Sequence, residues 1–190
     1  SPTVLQLIVD TSGSMDDDAP GPVRGSKWQA TRRAILQALE RMPAATAVGV
    51  VFYPDIANGD DDDDGPCFDG QADVPLAALG QANSGQRRSI EQQFGRQDPR
   101  GGTPTHDAYA FGARELEAST LPGPRFAVLI TDGVPTFSLG CDSSGRDQDD
   151  AVDPAPLVLE AAGSLARGMR TFVIGSPGSE DARESLSRNA

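Results

Sequence analysis

The sequence predicts an α/β fold: a Rossmann-like, three-layer αβα arrangement with helices on both faces of a mostly parallel central sheet. Three observations carry this. Strand-like runs alternate with amphipathic helical ones along the chain. The strand runs are continuously apolar, as in Val4-Leu5-Gln6-Leu7-Ile8-Val9 and Phe126-Ala127-Val128-Leu129-Ile130-Thr131, which suits strands covered on both faces. Both of these runs end in an aspartate, Asp10 and Asp132, and open parallel sheets bind ligands just outside the carboxyl ends of their strands. At 190 residues, with no internal repeat or boundary, residues 1–190 read as a single domain with one core.

Taken in order, residues 3–10 form a buried strand and the acidic, Pro-containing stretch 16–22 a polar loop. Ser26 is a candidate N-cap for a helix whose apolar stripe holds Trp28, Ile35, Leu39 and Met42, and Pro43 stops it. Thr46 to Tyr53 (T-A-V-G-V-V-F-Y) is a second buried strand. Residues 58–66 are a loop by composition. Residues 73–79 read as a short strand that Pro75, lacking an amide donor, confines to an edge. A helix over 84–95 centres on Ile90 and Phe94. A second over 105–118 turns Ala108, Phe111, Gly112 and Leu116 inward. The strand 125–131 is followed by a polar loop over 133–153. Pro156 opens the next helix, where a missing amide is tolerated. Val158, Ala161, Ala162 and Leu165 are its expected inner face, and Gly168 its end. Thr171–Gly175 reads as another buried strand, and residues 180–190 as the start of a further helix.

A net charge of −12 argues against nucleic acid or an anionic membrane as partner. No apolar run approaches the roughly 20 residues of a membrane span. There is no signal-peptide pattern, and the chain reads as a domain excised from a longer protein. Only one of 16 basic residues, Lys27, is a lysine, and with abundant Ala, Gly and Pro this suggests a GC-rich, bacterial source.

Three short motifs gather hydroxyls and carboxylates. Asp10-Thr11-Ser12-Gly13-Ser14 follows the first strand, Gly101-Gly102-Thr103-Pro104-Thr105 precedes a helix, and Thr131-Asp132-Gly133 ends a later strand. Each alone is an ordinary turn or helix-capping loop; in this order and spacing they form a pattern. Asp10, Ser12, Ser14, Thr103 and Asp132 are all hard oxygen donors, which suit Mg²⁺, Mn²⁺ or Ca²⁺ rather than zinc. Gly13 and the Gly101-Gly102 pair are expected to permit sharp turns close to the ion.

The pattern resembles the metal-ion-dependent adhesion site (MIDAS) of von Willebrand factor A domains, and the resemblance runs from residue 3 to the last helix. It implies that Ser12, Ser14 and Thr103 touch the metal while Asp10 and Asp132 act mainly through ordered water. It also implies an open coordination position that takes a partner's Asp or Glu carboxylate. The third strand would be short, antiparallel and at an edge. Family members usually add a strand after the final helix, and this chain stops before one, so the C-terminal part reads as incomplete.

Cys67 and Cys141 form no C-x-x-C pattern. They are either two unpaired thiols or, since the topology puts both loops at one end of the sheet, a disulfide, which would imply an oxidising compartment. Asp60, Asp61, Asp62, Asp63 and Asp64 make a solvated loop or, with Asp142 and Asp147, a second calcium site, although the spacing is not that of an EF-hand. His106, the sole histidine, immediately follows the T-P-T turn, but without a second histidine or a nucleophile partner it reads as a solvated or helix-start residue rather than a catalytic or metal-binding one.

The function expected is a non-enzymatic, metal-dependent protein-binding or adhesion module on a secreted or surface protein, whether extracellular, on the cell surface or periplasmic. One alternative is a Mg²⁺-dependent hydrolase or phosphoryl-transfer enzyme using Asp10 as nucleophile. Against it, the P-loop and G-x-S-x-G signatures are absent, and Ser12 stands where haloacid-dehalogenase-like phosphatases place a second acid. The other alternative is a subunit of an intracellular chaperone or chelatase assembly.

Overall fold

The computed structural model describes residues 2–54, 68–141 and 151–179. Among these residues five strands form one sheet in the order β3-β2-β1-β4-β5. They are β1 (Val4–Asp10), β2 (Ala47–Tyr53), β3 (Val74–Ala78), β4 (Arg125–Thr131) and β5 (Met169–Gly175). All pairings are parallel except β2 with β3, so the strand containing Pro75 is a short antiparallel edge, as expected. The helices are α1 (Lys27–Arg41), α2 (Gly85–Arg96), α3 (Thr105–Ala118) and α4 (Ala155–Ala166).

Strand periodicity of two divides the core into halves. On one face Val4, Ile8, Val51 and Tyr53 pack against Ala108, Tyr109 and Leu116 of α3 and Leu157 of α4. On the other, Leu7, Val9, Val50 and Phe52 meet Trp28 and Leu39 of α1 and Ile90 and Phe94 of α2. Trp28 stacks on Phe94 at 5.8 Å between ring centroids, and Phe52 meets Phe94 edge-on at 4.8 Å. Such pairs add specificity of geometry to the area they bury. Ser26 caps α1 by accepting from the Gln29 amide at 3.3 Å, and α1 ends at Arg41, just before Pro43.

Two expectations need correction. The run Thr171–Gly175 is not a buried strand: among the described residues β5 pairs only with β4, and Phe172, Val173 and Ile174 are about half exposed. A short apolar run reads alike at the centre and at the edge of a sheet. In α4 the inward residues are Leu157, Ala161 and Ser164, while Leu165 is exposed. The segment P-L-V-L-E-A-A-G-S-L-A is apolar nearly all round, so its periodicity does not fix which face turns in. The expected helix over 180–190 lies outside the described residues.

Candidate functional site

β1 is central, flanked by β2 and β4, and its register aligns Asp10 with Tyr53 and Val9 with Ile130. Asp10 and the Thr131-Asp132 pair therefore leave the sheet side by side. After Asp10 the chain turns through Thr11 and Ser12 into a short 3-10 turn, Gly13–Asp16, pinned by the buried Met15. The Thr11 amide and hydroxyl both bond to the Tyr53 carbonyl, at 2.7 and 3.1 Å.

Asp10 is fully buried and has both oxygens engaged. Oδ1 accepts from the Ser12 amide at 2.8 Å and Oδ2 from the Thr131 hydroxyl at 2.6 Å. Burial pushes its pKa up to about 6, against the lowering effect of the Ser12 and Thr131 hydrogen bonds and with a small contribution from Asp132. From Ser12 a polar chain runs outward. Ser12 Oγ lies 3.2 Å from Ser14 Oγ, and Ser14 Oγ donates to Asp132 Oδ1 at 2.9 Å. Ser14 is exposed, whereas Ser12 and Asp132 are buried, so the cluster opens to solvent at Ser14.

The G-G-T-P-T turn is held against this chain by backbone. Gly13 N donates to Gly101 O and Arg100 N to Thr11 O, each at 2.9 Å. Thr103 is buried and exchanges two bonds with Thr136: its amide donates to Thr136 Oγ1 at 2.8 Å, and the Thr136 amide donates to Thr103 O at 3.1 Å. Gly101 has φ +74, and a Cβ at Gly102 would overlap the Phe137 ring. Both glycines are required as expected. Gly13 is not: a Cβ there would make only an ordinary 3.5 Å contact with Gly101 O.

The structure thus joins Asp10, Ser12, Ser14 and Asp132 in one hydrogen-bonded cluster and sets the Thr103 turn beside it. Sequence reasoning missed four supporting groups. Thr131 orients Asp10, Thr136 holds Thr103, and Lys27 pairs with Asp132 through Nζ at 2.8 Å and with Asp17 at 3.2 Å. Burial alone would lower the Lys27 pKa, but the bonds and charges of Asp132 and then Asp17 outweigh it and raise the value. Tyr53 is the fourth; burial, then the Asp10 charge, keep its phenol protonated well above its ordinary pKa. The Tyr53 hydroxyl and Thr105 Oγ1 are buried without a hydrogen-bond partner among the described residues.

The donor set fits a hard divalent cation. The Ser12 and Ser14 hydroxyls and the Asp132 carboxylate converge, and Asp10, with both oxygens committed inside the protein, is suited to orient rather than to ligate. Among the described residues no group of three or more His, Cys, Asp or Glu is placed to hold a metal. Asp60–Asp64, Asp142, Asp147 and Cys67 lie outside the described residues. His106 lies in the first turn of α3, which agrees with the helix-start reading, and is buried rather than solvated. Burial pushes its pKa below the ordinary value, against the opposing pull of Asp107 and Glu160. The Asp107 carboxylate accepts from the Gly140 and Cys141 amides, each at 2.9 Å, tying the loop after β4 to α3.

Comparison with known proteins bears on the family and the fold. The family model described as von Willebrand factor type A domain matches residues 5–190. No curated protein sequence matches. Among solved structures, the pilus adhesin SpaC from Lactobacillus rhamnosus GG is 21% identical with a TM-score of 0.65, covering 100% of this chain and 27% of that one. The PilB minor pilin from Streptococcus sanguinis is 18% identical with a TM-score of 0.61, covering 99% and 54% respectively. Proximal thread matrix protein 1 from the mussel byssus, in a structure with a zinc-occupied MIDAS motif, is 15% identical with a TM-score of 0.52, covering 92% and 38%. At these identities the likeness establishes the fold, and the chain spans from about a quarter to about half of the proteins it matches.

Proposed function

The chain belongs to the von Willebrand factor type A domain family, and on that premise we propose that it is a non-enzymatic, metal-dependent protein-binding module. The observation that carries the reading is the Ser12–Ser14–Asp132 chain of oxygens at 3.2 and 2.9 Å, opening to solvent beside Thr103 at the carboxyl ends of β1 and β4. Ser12, Ser14 and Thr103 would hold a divalent cation, with Asp132 and Asp10 acting around it. A bound Mg²⁺, Mn²⁺ or Ca²⁺ would supply Lewis acidity and an open coordination position for a partner's Asp or Glu carboxylate. Neutral hydroxyls as ligands leave most of the ion's charge available to that partner. The buried Asp10, Thr131 and Thr136 fix the geometry before the ion arrives. Asp10 is unsuited to nucleophilic attack, because burial and two hydrogen bonds shield its oxygens; this disfavours the phosphoryl-transfer alternative.

A setting outside the cytoplasm, on a secreted or surface-borne parent chain, accords with the adhesin and pilin likenesses. We place a disulfide between Cys67 and Cys141 in the same reading: the sequence has two cysteines, and none is free among the described residues. Calcium at the acidic stretches Asp60–Asp64, Asp142 and Asp147 remains part of the proposal, and calorimetry tests it alongside the main site. Metal-free protein titrated with Mg²⁺, Mn²⁺ and Ca²⁺ is expected to show one event lost in Ser12→Ala/Ser14→Ala. A further Ca²⁺ event surviving that double variant would establish the acidic-loop site. Undiminished binding by the double variant would remove the proposed site.

A further inference from the structure

The only lysine of the chain is placed against the candidate metal site, and its position there runs against local preference. Lys27 is the first residue of α1, where the positive end of the helix dipole disfavours a cation. Its amide donates to Asp17 O at 2.9 Å, and its stem is confined, since a Cβ on Gly178 would lie 3.3 Å from Lys27 Cε. The ammonium reaches Asp132 Oδ2 at 2.8 Å, while Asp132 Oδ1 takes the Ser14 hydroxyl at 2.9 Å. The Asp132 side chain is 1% exposed and that of Lys27 14%. A carboxylate that deeply buried needs a counter-charge, and the described residues supply it through Lys27.

We propose that Lys27 is a tethered counter-cation for the metal site. In cation-free protein its ammonium neutralises Asp132 and keeps Asp132 aimed at Ser14. A divalent ion entering beside Asp132 then competes with a positive charge already there. Lys27 thereby sets the ion concentration at which the site fills. It also offsets part of the negative charge of Asp17, whose carboxylate lies 3.2 Å from the ammonium, and so lessens the repulsion of a carboxylate ligand. The inference rests on the metal-binding reading above and adds a determinant that the five-residue motif does not contain.

The test compares wild type with Lys27→Met, which keeps a similar apolar stem and removes the charge, and Lys27→Arg, which keeps the charge. Mn²⁺ affinity is measured by calorimetry at low ionic strength, and melting temperature with chelator and with saturating Mn²⁺. Lys27→Met is expected to bind Mn²⁺ about 10-fold or more tightly, the scale of removing one nearby unit charge in a partly buried site. It should melt lower than wild type in chelator, and Mn²⁺ should raise its melting temperature by more. Lys27→Arg should bind within about threefold of wild type. If Lys27→Met folds only with Mn²⁺ present, that supports the proposal, and Lys27→Gln supplies the affinity comparison. Unchanged or weaker Mn²⁺ binding in the uncharged variants would overturn it while leaving the metal site standing. Absence of Mn²⁺ binding in wild type and all variants would overturn both readings.

Discussion

Replacing Asp10 with asparagine is expected to make the metal-free protein more stable while disabling the site. Asp10 is fully buried, and its pKa stands at about 6 against an ordinary 3.8. A raised native pKa means that the native state holds the proton more tightly than the unfolded chain. Stability from this group is therefore fully present below pH 3.8 and is lost as pH rises through 6. The shift of roughly two units corresponds to about 3 kcal/mol lost at neutral pH, at about 1.4 kcal/mol per unit. The asparagine side chain would keep an acceptor for the Ser12 amide, and the Thr131 hydroxyl could turn its proton to Gly133 O, 3.2 Å away, and accept from the new amide. Urea unfolding in chelator should then place Asp10→Asn about 2–3 kcal/mol above wild type at pH 7.5. For a chain of this size that is roughly 5–10 °C in melting temperature. The gap should shrink to about 1 kcal/mol at pH 4.5, where the wild-type carboxyl is largely protonated in the native state. Saturating Mg²⁺ should stabilise wild type and leave the variant where it was. A variant less stable than wild type in chelator at pH 7.5, or a gap indifferent to pH, would refute the reasoning that burial dominates at Asp10.

Further outcomes follow from the same geometry. Thr131→Val removes the 2.6 Å bond to Asp10 Oδ2; a hydrogen bond to a charged group is worth about 1.5–3 kcal/mol, so Mg²⁺ affinity by calorimetry should fall at least tenfold. Gly102→Ala forces a methyl into the Phe137 ring and to 3.0 Å from Thr136 Oγ1, and should cost about 1–3 kcal/mol in urea unfolding, whereas Gly13→Ala should fold normally. Phe94→Ala opens the Trp28–Phe52–Phe94 cluster and should cost about 3–5 kcal/mol, with a change in emission from Trp28, the only tryptophan.

What was legible in the sequence is what repeats at short range. The alternation of apolar runs gave the parallel sheet, Pro75 gave the edge strand, and Ser26 and Pro43 marked the ends of α1. The three polar motifs could be read because each is a contiguous turn at a strand or helix end. What stayed hidden depends on contacts between distant segments. Thr131 reads as the last residue of an apolar run, and only the β1–β4 register turns its hydroxyl onto Asp10. Thr136 lies in a polar loop with no periodicity, and its exchange of bonds with Thr103 spans 33 residues. Lys27 was conspicuous as the lone lysine, yet nothing local directs its ammonium to Asp132, 105 residues away. The exposure of β5 and the facing of α4 escaped for the opposite reason, since uniformly apolar segments carry no phase.

The most direct test of the account is a crystal structure of the protein soaked in Mn²⁺ and read by anomalous scattering. A peak shared by the hydroxyls of Ser12, Ser14 and Thr103 is expected, at about 2.0–2.3 Å from its oxygen ligands as for a hard divalent ion, with Asp132 alongside and Asp10 behind. Saturating Mn²⁺ that gives no peak there, or a peak held by other residues alone, would contradict it.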